Sequence, residues 1–488
     1  MMSLIQWVPF VITFLLTAFS CSTSTTHDQG ETGSHVQMSR LYTHERNIVD
    51  KDGNTVTLRG VNLGSWLFLE TWITVMDYPL HGRIHVLGEE SGIGSEVDAV
   101  LRQIGPESGG GWLDSFRAGL KARIGEQATS DFLAEVSGYP SIVDDSDLPL
   151  RLLLEDRFGT SGRDRLLNLF LGAWIQETDL EWLADQGFNI VRVPIGYRSL
   201  ITTSDWEPLT SLKWNEQAFR RIDDLLGWCE KNRVYAVLDI QEAPGGQNDY
   251  SGPPRLYDDP LMQALTVELW EELSRRYKDR NVVAAYSLLA EPFGAPSLQA
   301  RDEMYDRLIR AVRAQGDDHL LVIHDGFFGM YTLPDPKALG WEGVLYSTHL
   351  FEEVTSLFAY QFLTALYDCL LNTAQGAQGV PYYIGSFSGK EDKDYAYQGM
   401  ELFLDLYERS GWSWSLWTYK KIDDPIDLEL FALSTSWGLR GRLSSHFDRP
   451  DVYRDDEATL SHKFAAYVDL IVDPNERLLD ILVRRGAP

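Results

Sequence analysis

The chain has 488 residues, of which 44% are hydrophobic and 12% aromatic, enough to bury a large core. Its formal charge of −29 argues against a nucleic-acid partner and is compatible with a neutral ligand. The length admits one large barrel or two to three average domains.

In chain order, the first feature is an apolar run from Val8 to Ala18, too short to span a bilayer and followed by small and polar residues. Residues 1–21 therefore read as a signal peptide. The segment Leu16-Thr-Ala-Phe-Ser-Cys21 resembles a bacterial lipobox, which makes Cys21 a candidate for a lipid anchor. Residues 22–45 are expected to be a flexible tether, rich in Ser, Thr, Gly and His as far as Gln37. The expectation is export: a secreted, periplasmic or lipoprotein-anchored protein. Beyond the leader only Cys229 and Cys369 remain, expected as buried thiols, and two cysteines alone cannot build a zinc site. Neither a metal nor a cofactor is expected.

The body, residues 46–475, alternates short apolar strands with amphipathic helices. Strands are predicted at Thr55–Val61, Ile190–Pro194, Val234–Ile240, Val282–Ala290, His319–His324, Val344–His349, Val380–Ser386 and Ser413–Trp417. Continuous apolar strands separated by helices imply a parallel sheet covered on both faces. Eight such units favour a closed α/β (β/α)8 TIM barrel with its site at the carboxyl ends of the strands. The odd polar residues Arg192, Gln241, Glu291, His349 and Ser386 fall at those ends. Between about 78 and 165 no strand is legible. Helical patterns there predict a long insertion in the first βα loop, serving as a lid, a subsite wall or a packing embellishment. Residues 476–488 read as a C-terminal tail, and the whole as a monomer.

Several ordered phrases then converge on one family. Leu58-Arg-Gly-Val-Asn-Leu-Gly-Ser-Trp-Leu-Phe-Leu-Glu70-Thr-Trp72, Gly187-Phe-Asn-Ile-Val-Arg192-Val-Pro-Ile-Gly-Tyr197 and Ala243-Pro-Gly-Gly-Gln-Asn248 are three of them. Ile323-His-Asp-Gly-Phe327 and Trp414-Ser-Leu-Trp417-Thr-Tyr-Lys420 are two more. Together, from about Asn54 to about Tyr467, the chain resembles the exo-β-1,3-glucanase branch of glycoside hydrolase family 5. The resemblance implies a β-linked oligo- or polysaccharide as partner. It also implies two carboxylates about 5–5.5 Å apart across the scissile bond, one an acid and the other a nucleophile.

The acid position is Glu291, in Leu289-Ala290-Glu291-Pro292, but the Asn that should precede it is Ala290. The nucleophile position, in Pro381-Tyr-Tyr-Ile-Gly-Ser386-Phe-Ser388, holds Ser386. The family's third-strand His is Gln241, and its Tyr two residues after His349 is Phe351. Glu70, Arg192, Gln241, Asn248, His349, Phe351 and Trp417 are the expected substrate-binding positions. Plainer accounts stand beside these roles: Glu291 paired to Arg192, His349 as a core histidine, Trp417 as core filler, Glu70 as a backbone cap. Three functions follow: non-catalytic β-glucan binding; a rewired, inverting hydrolase with Glu291 as acid and Glu242, Glu352 or Glu353 as base; or an ordinary retaining exo-glucosidase whose nucleophile lies elsewhere. The first is the leading expectation, because a serine hydroxyl without an adjacent base is a poor nucleophile.

Overall fold

The computed structural model describes residues 38–486, apart from 77–79, 105–111, 139–146, 251, 352–355, 390–392, 424–437, 444–446 and 471. The signal, lipobox and most of the tether expectation, residues 1–37, lie outside the described residues, as do Glu352 and Glu353. The folded unit begins at Met38.

Eight parallel strands close into a barrel. They are β1 (Arg59–Asn62), β2 (Ile190–Gly196), β3 (Tyr235–Glu242), β4 (Val283–Ser287), β5 (Leu320–His324), β6 (Val344–Leu350), β7 (Tyr382–Phe387) and β8 (Ser413–Leu416). Each corresponds to a predicted strand. The apolar runs were legible because both faces of every strand are covered: β2, for example, is buried at all seven positions. Helices between the strands start where side chains accept from orphan backbone N–H groups, at Asn215, Asp259, Ser297 and Ser356.

The barrel closes between its first and last strands, with Trp414 in register with Arg59. Three contacts fasten this seam. Leu58 N donates to Ser413 Oγ at 3.0 Å, and the Arg59 guanidinium clasps both Glu408 oxygens at 2.7 and 2.6 Å. Trp414 Nε1 donates to the same carboxylate at 2.9 Å.

The floor is closed by a hairpin, Tyr42–His44 with Asn47–Val49. Its Leu41 and Ile48 are buried with Ile190, Val237, Ala285, Val322 and Tyr383 from the strands. Residues 38–45, expected in the tether, thus belong to the folded body because Leu41 plugs the barrel. The expected tail is likewise folded: the helix Glu476–Gly486 buries Leu478, Ile481 and Leu482. Cys229 is buried as expected, whereas Cys369 is exposed, lying on the outer face of the helix Leu357–Gln378.

The insertion between β1 and β2 is helical. Helices Leu80–Glu90, Gly94–Ile104, Trp112–Ile124 and Glu126–Gly138 surround a core of their own. Ile84, Val97, Leu101, Phe116, Leu120 and Phe132 fill it, with Trp112 stacked on Phe116 at 5.6 Å between centroids. A long helix, Asp147–Trp174, bent at Gly159 where φ is 69°, leads back to the barrel. Because this core is separate, Phe116→Ala should lose about 3–5 kcal/mol from the insertion. Hydrogen exchange should quicken in residues 80–138 while the barrel strands keep their protection.

Candidate active site

The carboxyl ends of β3, β6 and β7, with the segments after β4 and β8, carry Gln241, Glu291, His349, Ser386 and Trp417, whereas Arg192, expected at a strand end, is the third of the seven residues of β2 and lies deeper inside the barrel. Two layers can be distinguished. The lower layer is a polar network inside the barrel. Arg192 is buried and reaches Asn62 Oδ1 at 2.7 Å, Asp239 Oδ2 at 2.8 Å and Gln241 Oε1 at 3.2 Å. Asn62 in turn donates to the carbonyls of Gly385, Ser415 and Leu416 at 3.1–3.2 Å. Burial pushes the Asp239 carboxyl up, and the Arg192 charge opposes that shift. Arg192 therefore pairs with Asp239 rather than with Glu291.

The upper layer is built around Glu291. Its backbone is left-handed, with φ at 48°, a costly conformation for a non-glycine residue. Hydrogen bonds hold it there: Ala290 N to Ile240 O at 2.9 Å, Phe293 N to Glu291 O at 2.8 Å and Asn248 Nδ2 to Glu291 O at 3.2 Å. Beneath it, buried Gln247 donates to the carbonyls of Gln241 and Ala290, both at 2.8 Å, tying the loop after β3 to the end of β4. Asn248, expected to meet substrate, is buried in this loop and supports Glu291.

Both carboxyl oxygens of Glu291 are engaged. Oε1 lies 2.5 Å from His349 Nδ1, and the Tyr250 hydroxyl donates to Oε2 at 2.7 Å. Burial, reinforced by the Arg192 charge, holds the His349 imidazole well below its usual range, so the ring is neutral at neutral pH. Its contact with Glu291 is a hydrogen bond more than an ion pair. Burial and the neighbouring Glu291 push the Tyr250 phenol up, keeping it a donor. A second histidine, His324, stands edge-on to His349 at 4.3 Å and is held low chiefly by burial and then by His349. Phe351 packs edge-on to His349 at 6.4 Å.

Ser386 is 1% exposed and faces His349 in strand register, yet its Oγ has no hydrogen-bond partner. Among the described residues, β7 and the segment through Gly389 carry no carboxylate. Trp417 is buried just beyond β8, its backbone N–H on Phe387 O at 2.8 Å. Glu70, half-buried before a short helix, lies close enough to Tyr250 for its charge to act on that phenol. Glu242, a proposed base, is buried beside Arg198, 3.4 Å from its Nε. No group of three or more His, Cys, Asp or Glu that could hold a metal ion occurs among the described residues.

The sequence reading missed Tyr250 and His324. Tyr250 sits in a Gly-rich loop 41 residues from the carboxylate it caps, and no local pattern links the two. His324 lay inside a quoted phrase, at a strand end, and that position was the available signal.

Against this geometry, the profile of the cellulase family, glycosyl hydrolase family 5, matches residues 159–422, more than half of the chain. The chain belongs to glycosyl hydrolase family 5. Among relatives of this family 5 chain, a β-xylosidase of Phanerodontia chrysosporium is 24% identical over 417 residues, covering 79% of this chain and 71% of that protein. Glucan 1,3-beta-glucosidase 2 of Saccharomyces cerevisiae is 25% identical over 348 residues, covering 65% of the chain. The family 5 chain spans about half of that glucosidase, 52% of its length. The fold is shared with a solved endogalactoceramidase structure at a TM-score of 0.51 and 18% identity, covering 88% of this chain and 85% of that one.

Two expectations follow for this family 5 site. Tyr250→Phe removes a hydrogen bond worth about 1 kcal/mol that any ligand hydroxyl must displace from Glu291. Oligosaccharide affinity should then rise about fivefold by calorimetry. A drop instead would make the phenol a direct ligand contact. The second concerns pH. His324 and His349 are lowered on folding, so the unfolded chain takes up their protons first as pH falls below about 6.5. Each should remove about 1.4 kcal/mol of stability per pH unit below that value. Asp325, pushed up to about 6 by burial, works in the opposite sense between its unfolded value and about 6. Urea melts of wild type and His324→Gln across pH 4–7 should differ in slope by one proton.

Proposed function

We propose that this chain is a β-glucan-recognising protein, related to the exo-β-1,3-glucanase branch of its family, in which retaining hydrolysis has been lost. The observation that carries the reading is the unpartnered, buried hydroxyl of Ser386 at the position where the family resemblance calls for a nucleophilic carboxylate. An alkoxide does not form without a base bonded to the hydroxyl, and none is bonded here. For the rewired, inverting alternative, the pairing of buried Glu242 with Arg198 argues against that one carboxylate as the base.

The relatives named glucan 1,3-beta-glucosidase and β-xylosidase suggest β-linked glucose or xylose polymers as ligands. Calorimetric titration with laminari-, cello- and xylo-oligosaccharides tests this: heat from a β-linked series supports it, and binding only to an unrelated polymer sinks it. Export, with Cys21 lipidated, belongs to the same proposal. Mass spectrometry of the N-terminal peptide from the membrane fraction would find the acylated cysteine.

A further inference from the structure

One aromatic side chain stands apart from the site described above. Trp206 is 62% exposed, and among the described residues it is the one exposed tryptophan. It lies in the loop that leaves β2 at its carboxyl end, closed at the neck by Thr202 N donating to Lys213 O at 2.9 Å. Glu207 N donates to Ser204 O at 3.3 Å, making a turn with Trp206 at its third position. Trp206 N also donates to Ser204 Oγ at 3.2 Å.

The first two residues of this turn are clamped by the helix that leads back from the insertion, Asp147–Trp174. Buried Glu155 accepts from Ser204 Oγ and, at 3.0 Å, from Asp205 N. Buried Arg163 pairs with Glu155 and, through Nη1 at 2.5 Å, with Asp205 Oδ2. Glu155 and Arg163 are eight residues apart, about 12 Å along a straight helix. The bend at Gly159 between them lets both reach one cluster. Asp205 Oδ1 lies 3.4 Å from Arg198 Nη1, and Arg198 Nε lies 3.4 Å from Glu242, the last residue of β3. The residue before Trp206 is thus tied both to the insertion and to the carboxyl end of a barrel strand. Buried ion pairs are costly to assemble and contribute little to stability, so their concentration on one turn points to what that turn presents. It presents an indole, on a backbone ordered before any ligand arrives, which lowers the entropic cost of binding.

We infer that Trp206 is a platform for a glycan chain running out of the barrel mouth, its indole stacked on a pyranose ring beyond those held near Glu291. The inference rests on the β-glycan reading above and adds a second, remote binding position to it. The ring faces of a β-linked glucose are lined by C–H groups, while its equatorial hydroxyls point outward into water. A flat aromatic side chain with solvent at its edge matches that division of apolar face and polar rim. The insertion then acts through Glu155 and Arg163 as a positioning element for this indole.

The test titrates the full-length protein by calorimetry with laminari-oligosaccharides of two to six units. The hexasaccharide should bind about tenfold more tightly than the disaccharide. Trp206→Ala should abolish that difference and leave disaccharide affinity unchanged, and Trp206→Phe should keep most of it. Ser204→Ala, which loosens the turn without touching the indole, should lose part of it, with thermal melts confirming that all three variants fold. Acrylamide quenching of tryptophan fluorescence should fall when the hexasaccharide is added and not when the disaccharide is. Equal affinity for the two lengths, or a hexasaccharide preference that survives Trp206→Ala, overturns the platform and leaves the β-glycan reading standing. A loss of disaccharide affinity in folded Trp206→Ala overturns the remote position. A length preference untouched by Ser204→Ala overturns the role given to the clamp. Absence of binding at every length overturns the β-glycan reading itself.

Discussion

A mechanism-based 2-fluoroglycoside inactivator should leave the mass of this protein unchanged, and β-glucans should not be hydrolysed with retention. Deleting the nucleophile of a covalent mechanism costs on the order of a millionfold in turnover. On the proposed reading, the deletion would come with further departures from the family resemblance. Ala290 stands where the family resemblance calls for an Asn, a residue whose hydrogen bond to the sugar strengthens in the transition state. The same resemblance calls for a His and a Tyr at Gln241 and Phe351, and Gln241 accepts from Arg192. Ser386→Glu should therefore recover only weak hydrolysis, because the new carboxylate enters a site that lacks its orienting phenol. Covalent labelling of the wild type would locate the true nucleophile on another residue and make retaining hydrolysis the leading account.

Arg192→Met should destabilise the fold by about 3–5 kcal/mol in urea unfolding, the cost of leaving a buried charge alone. The guanidinium lies 2.8 Å from Asp239, whose carboxyl burial already pushes up. Through Asn62 the same network reaches the backbone of β7 and β8, so strands from both sides of the barrel lose a common anchor. Arg192→Met with Asp239→Leu should restore much of the loss, since an apolar pair of similar volume is often neutral. The single variant carries a second signature. The Arg192 charge helps hold the His349 imidazole low, so its pKa should rise when followed by NMR. A drop in stability without that rise would place the damage in packing instead.

The barrel was legible because each strand is a short apolar run between helices, a pattern fixed by covering both faces. The mouth was legible because polar residues at the ends of such runs have little structural reason to be there. Pairings were much less so. Glu291 was weighed as a partner of Arg192, yet the barrel gives Arg192 to Asp239 and Glu291 to His349 and Tyr250, choices set by which side chains share a layer. Glu242 looked like a base one residue past Gln241, yet it is buried against Arg198 from the loop after β2. The borders at 45 and 476 misled for a different reason. Short amphipathic pieces such as Leu41 and Leu478 show their value only once a floor or a helix face exists to receive them.

The seam between β1 and β8 has a kinetic consequence. Leu58 and Ser413, which fasten it, are 355 residues apart in the chain, so closure joins groups at the far ends of the folding sequence. Contacts of such separation form late and make assembly slow. Until Ser413 arrives, β1 and the last strand laid down present open parallel edges, surfaces that recruit other chains. The Arg59–Glu408 clasp brings opposite charges together beside those edges and favours the intramolecular partner over a neighbouring molecule. Slowing the closure of this ring, for example with Arg59→Met, should therefore lower the yield of soluble protein during synthesis, as read by the soluble fraction on expression.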